Sequence, residues 1–338
     1  MRLNIKQIAA FLVTVVAVLF LTNYKLDYYI YQPGSLYALD DVVNVEGRFD
    51  SEGELHLVTV RGGQATPIYY LWANIRPYYE INRLKDVRPD GMTEEEYRQT
   101  QLHYMESSQQ AATVVAYQHA NRDITINYKG VYVMAVDKNL PAYNHLKIGD
   151  QIIEFNGEAV NSAEEIVSIT SELSIGDTVN LKVVRDDKTI DVSFELAALP
   201  NQPDRAVMGV ALVTDREVEV NPEVHFDSGR IGGPSAGLMM ALEIYNQLTS
   251  DDITKGYKIA GTGEIDYEGN VHRIGGVDKK VVAAHRSGAD IFFVPYENGK
   301  EGSNYEVAVK TAKELKTKMK IVPVDTFEEA LQYLNDLE

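Results

Sequence analysis

The chain has 338 residues, 45 % of them apolar and 24 % charged, the values of a globular protein with room for two or three domains. Its 32 basic and 50 acidic residues give a net charge of −18, which repels phosphate backbones and argues against nucleic acid as a partner. Cysteine is absent, which excludes disulfides, thiolate catalysis, Cys-ligated zinc and a lipidated cysteine anchor.

Residues 7–24 carry no charge, and residues 8–21 are apolar except for Thr14. Arg2 and Lys6 precede the stretch and Lys25 follows it. A run of about 18 residues reaches the short end of a membrane span. The positive flank predicts a cytoplasmic N-terminus, with everything after Lys25 outside the cell membrane. A cleaved signal peptide competes with this reading, but residues 22–25 offer no small-x-small cleavage site. A buried globular helix is the third reading. The preferred one makes residues 1–25 a cytoplasmic tip and a single transmembrane anchor.

Residues 26–128 read as an N-terminal extracytoplasmic region. Alternation through Leu55, Leu57 and Thr59 predicts a strand closed by Gly62-Gly63. Thr93 followed by Glu96 marks a capped helix start, with the helix running to about His119. No chemistry is assigned here, and Tyr69, Tyr70, Trp72, Tyr78 and Tyr79 read as packing residues.

From Val131 the pattern becomes short β elements: a strand at 131–136, a tight-hairpin signal at Asn156-Gly157, and a capping box at Ser162 and Glu165. Two alternating runs flank an Asp186-Asp187 turn. Residues 129–196 resemble a PDZ domain of the bacterial envelope-protease type, most specifically in Leu146-Lys147-Ile148-Gly149-Asp150-Gln151-Ile152. The resemblance implies that an extended peptide adds to a strand edge at Gly130, Val131, Tyr132 and Val133, beside the helix from Ser162. Its C-terminal carboxylate would be held by a loop at 128–131. Residues 197–204, with Pro200 and Pro203, read as a linker.

Residues 205–338 mix strands and helices, an α/β or α+β domain. Helices are expected at 235–248, 279–286, 306–318 and 327–337, strands at 291–294 and 321–324, and a hairpin from 258–265 and 270–274. The fold class is therefore α+β and multidomain: transmembrane helix, β-rich middle domain, C-terminal α/β domain.

The chemistry concentrates at Gly232-Gly233-Pro234-Ser235-Ala236-Gly237, immediately before an apolar helix. Glycines let a substrate backbone approach, unpaired N–H groups at the helix start suit an oxyanion, and the positive helix end favours an attacking alkoxide. Gly233, Pro234 and Ala236 form the expected oxyanion and substrate loop around Ser235. A capping serine and a phosphate cradle are the competing readings. A P-loop is missing its lysine, since the only Gly-Lys pair, Gly299-Lys300, is followed by Glu301. The Gly-x-Ser-x-Gly hydrolase elbow needs an apolar strand running into the serine, whereas the lead-in here is Asp227-Ser228-Gly229-Arg230-Ile231.

The second element is Gly275-Gly276-Val277-Asp278-Lys279-Lys280, and Gly261-Thr262-Gly263-Glu264 stands between the two. Together the three resemble the proteolytic domain of Lon proteases over residues 209–338. The resemblance implies a Ser–Lys dyad of Ser235 and Lys280, supported by Thr262, with neither cofactor nor metal. Burial and the helix start would lower the lysine pKa toward a useful base. Lon domains often carry an acid three residues before the serine; Gly232 stands there instead.

The order anchor, PDZ, Lon-type domain is similar to membrane-anchored proteases of Gram-positive bacteria that trim exported peptides, pheromones among them, or clear small membrane proteins. That implies an ATP-independent serine endopeptidase acting outside the membrane, and a hexameric ring by analogy. The rival from another class is a membrane-tethered peptide-binding adaptor with an inactive Lon-type scaffold.

Overall fold

The computed structural model describes residues 4–88, 92–199 and 202–337. Its chain divides into two compact units, one of residues 1–123 and 220–338, the other of residues 124–219.

The larger unit begins with helix Ile5–Asn23. Asn4 caps it with a complete capping box: its side chain accepts the Lys6 N–H, and Gln7 reaches back to the Asn4 N–H. The helix is long and apolar enough to cross a membrane, and none of its residues is buried. Arg2, the outer flanking charge, lies outside the described residues.

The unit is organised by a six-stranded sheet in the order Lys320–Val324, Ile291–Pro295, Lys258–Gly261, Glu54–Gln64, Tyr28–Ala38, Glu80–Arg83. The first four strands run parallel and the last two pair antiparallel. Half of this sheet therefore comes from the region expected to stand apart at 26–128. The reason is that Lys258–Gly261 is a central strand with both edges to satisfy, and Leu55 and Leu57 pair beside Ile259 and Gly261. Pairing across about 200 residues of sequence has no local signature.

Helices cover this sheet. Gly237–Leu248 has every residue buried except Tyr245, which is why it reads as apolar on most faces. It packs against Glu94–His119, whose N-terminus is the Thr93/Glu96 capping box. Helix Val277–Arg286 packs on strands Tyr28–Ala38 and Glu54–Gln64, and Val281, Ala283 and Ala284 join a core with Val58, Phe292 and Val294.

The expected hairpin of 258–265 with 270–274 is split. Lys258–Gly261 stays in the sheet, and only Glu264–Ile265 pairs with Val271–His272. Between them Thr262 N–H donates to Phe293 O and Gly263 N–H to Ser235 O, so the chain leaves the sheet to meet the serine loop.

The smaller unit holds a second sheet, ordered Val210–Asn221, Asp123–Val136, Gln151–Phe155, Thr178–Arg185, Lys188–Glu195, with Glu158–Ala159 against Gln151–Phe155. The hairpin turns fall where their residues demand left-handed backbone, at Asn156-Gly157 and Asp186-Asp187. Buried Val131, Ile152, Phe155, Ile166, Leu181 and Val183 anchor its core.

Two boundaries differ from expectation. Segment 197–204 contributes strands Ala197–Leu199 and Gln202–Val207, which pair antiparallel, so it is structured rather than a linker; residues 200 and 201 lie outside the described residues. Strand Val210–Asn221 belongs to this sheet, so the larger unit resumes at 220 rather than 205.

Candidate active site

The serine loop ends where helix Gly237–Leu248 begins, with Ala236 as an N-cap that has no side-chain hydrogen bond. Ser235 is half-buried and lines a cleft of about 780 Å³. Among the described residues no acceptor receives the N–H of Ser235 or Ala236. Both stand at the positive end of a buried helix, where an oxyanion is stabilised.

The cation opposite comes from helix Val277–Arg286. Gly276 supplies the turn into it, with φ 68°, a backbone state that costs glycine little. Four residues on, in the first turn, Lys280 is buried at 3 % exposure. Its Nζ donates to Ser235 Oγ at 2.5 Å and to Thr262 Oγ1 at 2.8 Å. Thr262, fully buried, donates in turn to Ser235 O at 2.9 Å. The threonine thus fixes both the lysine and the backbone of the serine.

No carboxylate reaches Lys280 among the described residues. Burial alone acts on it and pushes its pKa from 10.5 down to about 7. Lys279 is equally buried but differs in kind: its Nζ lies 2.6 Å from Glu80 and 3.1 Å from Asp278. Two carboxylates thus compensate the charge of this buried side chain.

Helix Glu94–His119 carries no catalytic motif, yet it holds the serine loop. Gly233 N–H donates to Gln101 O at 2.7 Å, and Ser108 Oγ donates to Pro234 O at 2.8 Å. A Cβ on Gly232 would lie 2.9 Å from the Gln101 Cβ, so no acid fits at that position without displacing this helix. Tyr31, Tyr37, Tyr97 and Met105 complete the cleft wall beside Leu57 and Val58. The only signal of the three tyrosines in the sequence is a density of aromatics between residues 28 and 104, which says nothing of which ring faces a cleft.

The expected peptide-binding residues are placed differently. Gly130, Val131, Tyr132 and Val133 lie inside strand Asp123–Val136, and residues 128–131 form no loop. Val131 and Tyr132 pair with Ile152 and Gln151, and the strand's other neighbour is Val210–Asn221. A strand paired on both sides has no edge to offer. The sheet edge beside helix Ala163–Ser171 belongs instead to Val210–Asn221, and a groove of about 630 Å³ runs there between Val167, Thr170 and the segment Val207 to Leu212. Its sequence signal, Met208-Gly209-Val210, lies inside the segment 205–338 expected to form the C-terminal domain.

Comparison with known proteins finds two family profiles along the chain. Residues 207–335 match the profile of the Lon protease (S16) C-terminal proteolytic domain, and residues 93–196 match that of the PDZ domain. Lon protease of Buchnera aphidicola is 41 % identical over 100 residues, 30 % of this chain and 12 % of that protein. Lon protease of Chloroflexus aggregans is 34 % identical over 116 residues, 34 % of this chain and 13 % of that protein. The chain thus spans 12–13 % of the length of these two relatives. The solved PDZ domain of an SdrC-like protein from Listeria monocytogenes is 32 % identical and covers 26 % of this chain and 93 % of its own, at a TM-score of 0.24. The chain carries a PDZ domain and a Lon-type proteolytic domain. The PDZ profile takes in helix Glu94–His119, which packs in the other unit.

Proposed function

We propose that the chain is a serine endopeptidase with a Ser235–Lys280 dyad, held in the cell membrane by helix Ile5–Asn23 with its bulk outside, and acting on short, extended or unfolded chains. The observation that carries this reading is the buried, carboxylate-free Lys280 bonded at once to Ser235 Oγ and Thr262 Oγ1.

In this mechanism neutral Lys280 takes the Ser235 proton as Oγ bonds to the peptide carbonyl carbon. The carbonyl oxygen gains the negative charge beside the Ser235 and Ala236 N–H groups. Lys280 then gives its proton to the amine as the C–N bond breaks, leaving an acyl ester on Ser235. Water, deprotonated by the same lysine, releases the acid and restores the enzyme. Thr262 keeps the amine aimed at Oγ throughout. The Val207 to Leu212 edge with helix Ala163–Ser171 is the peptide-docking groove, in place of Gly130 to Val133.

Purified chain incubated with an unfolded substrate tests this. Cleavage that disappears in Ser235→Ala with the fold unchanged supports it; undiminished cleavage in Ser235→Ala refutes it.

A further inference from the structure

The segment leaving helix Ile5–Asn23 is tied at once to a second helix. Leu26 N–H donates to Ala65 O at 2.8 Å, Gln64 Nε2 donates to Leu26 O at 3.0 Å, and Ala65 N–H donates to Tyr28 O at 2.8 Å. Helix Pro67–Asn74 starts two residues after Ala65, capped by Thr66, and touches helix Ile5–Asn23. Its inner side, Tyr69, Tyr70 and Ala73, packs on Ile30 and Ala65.

The outer side is as apolar as the inner. Ile68, Leu71, Trp72 and Ile75 are 52 %, 65 %, 45 % and 73 % exposed. Their i, i+3, i+4, i+7 spacing makes them one continuous stripe. The Arg76 guanidinium lies 4.0 Å over the Trp72 ring, a cation at the stripe's end. A helix that packs one apolar side and exposes another has a second surface to bury.

Position decides what covers it. If helix Ile5–Asn23 spans a bilayer, Tyr24 sits at headgroup level, and the chain to Leu26 extends no more than about 10 Å. Helix Pro67–Asn74 is then held at the interface, where tryptophan and tyrosine side chains are favoured. We propose that this helix lies on the bilayer surface, with Ile68, Leu71, Trp72 and Ile75 immersed at the headgroup–acyl boundary. This rests on the membrane reading of helix Ile5–Asn23. Strand Tyr28–Ala38 starts from this platform and carries Tyr31 and Tyr37 into the cleft wall, so the contact fixes the height of the cleft above the lipid. With a net charge of −18 the attachment is apolar rather than electrostatic.

Trp72 is the chain's only tryptophan, so its fluorescence, excited beyond the tyrosine range, reports this site alone. The full chain is reconstituted into phosphatidylcholine vesicles, with and without acyl chains brominated near the headgroup or near the bilayer centre. The expected result is flotation with the vesicles, blue-shifted emission, and stronger quenching by the shallow bromines. Leu71→Glu with Ile75→Glu should still float but lose the shift and the quenching. Flotation with emission typical of water and no quenching would overturn the proposal while sparing the anchor. A blue shift that ignores bromines and grows with protein concentration would assign the stripe to a second copy instead. A chain that fails to float at all would remove the membrane reading and the proposal with it.

Discussion

Lys279 and Lys280 are adjacent and equally buried, yet one is held by two carboxylates and the other by two hydroxyls. Successive helical residues point to different faces, and here the faces lead to Glu80 on one side and Ser235 on the other. The first prediction follows from this division. Ser235→Ala and Lys280→Ala should each lower cleavage by about 10³-fold or more, because neither partner acts alone. Lys280→Arg should be equally inactive, since guanidinium keeps its proton. Lys279→Ala should stay within about tenfold of wild type and lose stability rather than chemistry, as Glu80 and Asp278 are left facing each other. His225, exposed at the surface, and His272, bonded to Asp266, should tolerate substitution. Rates of peptide release across this series check the assignment, and an active Lys280→Arg would refute it.

Thr262 donates to Ser235 O and accepts from Lys280, so its loss should be felt as misplacement. Thr262→Val keeps the volume and removes both bonds. It should lower kcat by about 10- to 100-fold, the scale of one positioning hydrogen bond, with KM little changed. Thr262→Ser, which keeps the hydroxyl, should recover most of the activity; a fully active Thr262→Val beside an impaired Thr262→Ser would mean that the methyl packing matters and the bonds do not.

The sequence made the three motifs of the site visible because each is local: a glycine-flanked serine before an apolar run, a lysine in a helix start, and a threonine between two glycines. It could not show that Gln101 and Ser108 hold the serine loop from more than 120 residues away, because mid-helix polar residues look the same whether they face solvent or a neighbouring carbonyl. Strands with alternation or a turn signal, such as Glu54–Gln64 and those around Asp186-Asp187, were legible for the same local reason. Their partners were not. Pairing of Ile259 with Leu55 joins segments that only the folded sheet brings together. The sheet edge is hidden on the same account: Gly130 and Val131 look like an edge until Val210–Asn221 is seen to lie along that strand.

The groove yields the third prediction. Val167 on helix Ala163–Ser171 is half exposed and lines it. Val167→Glu should leave the fold intact and weaken binding of an apolar peptide by about tenfold or more, since a carboxylate would be desolvated there. Cleavage of a short chromogenic peptide should be unaffected. A substitution at exposed Met134, on the strand first expected to bind, should change neither. Titration of a labelled peptide against both variants decides between the two strands.

Glu243 gives the fourth. It is buried in helix Gly237–Leu248, and burial pushes its pKa up to about 7, opposed by the Gln247 Nε2 bond at 2.7 Å. A carboxyl whose folded pKa is raised contributes stability fully below its unfolded pKa of about 4.3 and loses it as pH rises through about 7. Glu243→Gln keeps an oxygen for Gln247 and removes the charge. It should be close to neutral at pH 4 and stabilise by about 1–3 kcal/mol at pH 8. Urea denaturation at the two pH values measures the difference; equal stabilisation at both would deny the buried carboxylate any part in it.

The last prediction ties activity and stability to the same proton. Burial depresses the Lys280 pKa to about 7, so the base form, and with it kcat/KM, should rise from pH 6 and level off above pH 8. Stability must move in the same direction. The unfolded chain holds the lysine proton up to about pH 10.4, whereas the folded chain releases it near 7, so between these values the unfolded state binds more protons and raising the pH favours the fold. Below pH 7 the folded state carries a buried ammonium and the penalty is full; by pH 10 it has nearly gone. Lys280→Met removes the titration while keeping most of the side-chain volume. The variant should be inactive, more stable than wild type at pH 7 by on the order of 3 kcal/mol, and nearly equal to it at pH 10. Paired denaturation curves at pH 7, 8.5 and 10, set beside the wild-type pH–rate profile, make the comparison. A stability gap that does not close with rising pH, or a rate that falls above pH 7, would place the proton somewhere other than Lys280.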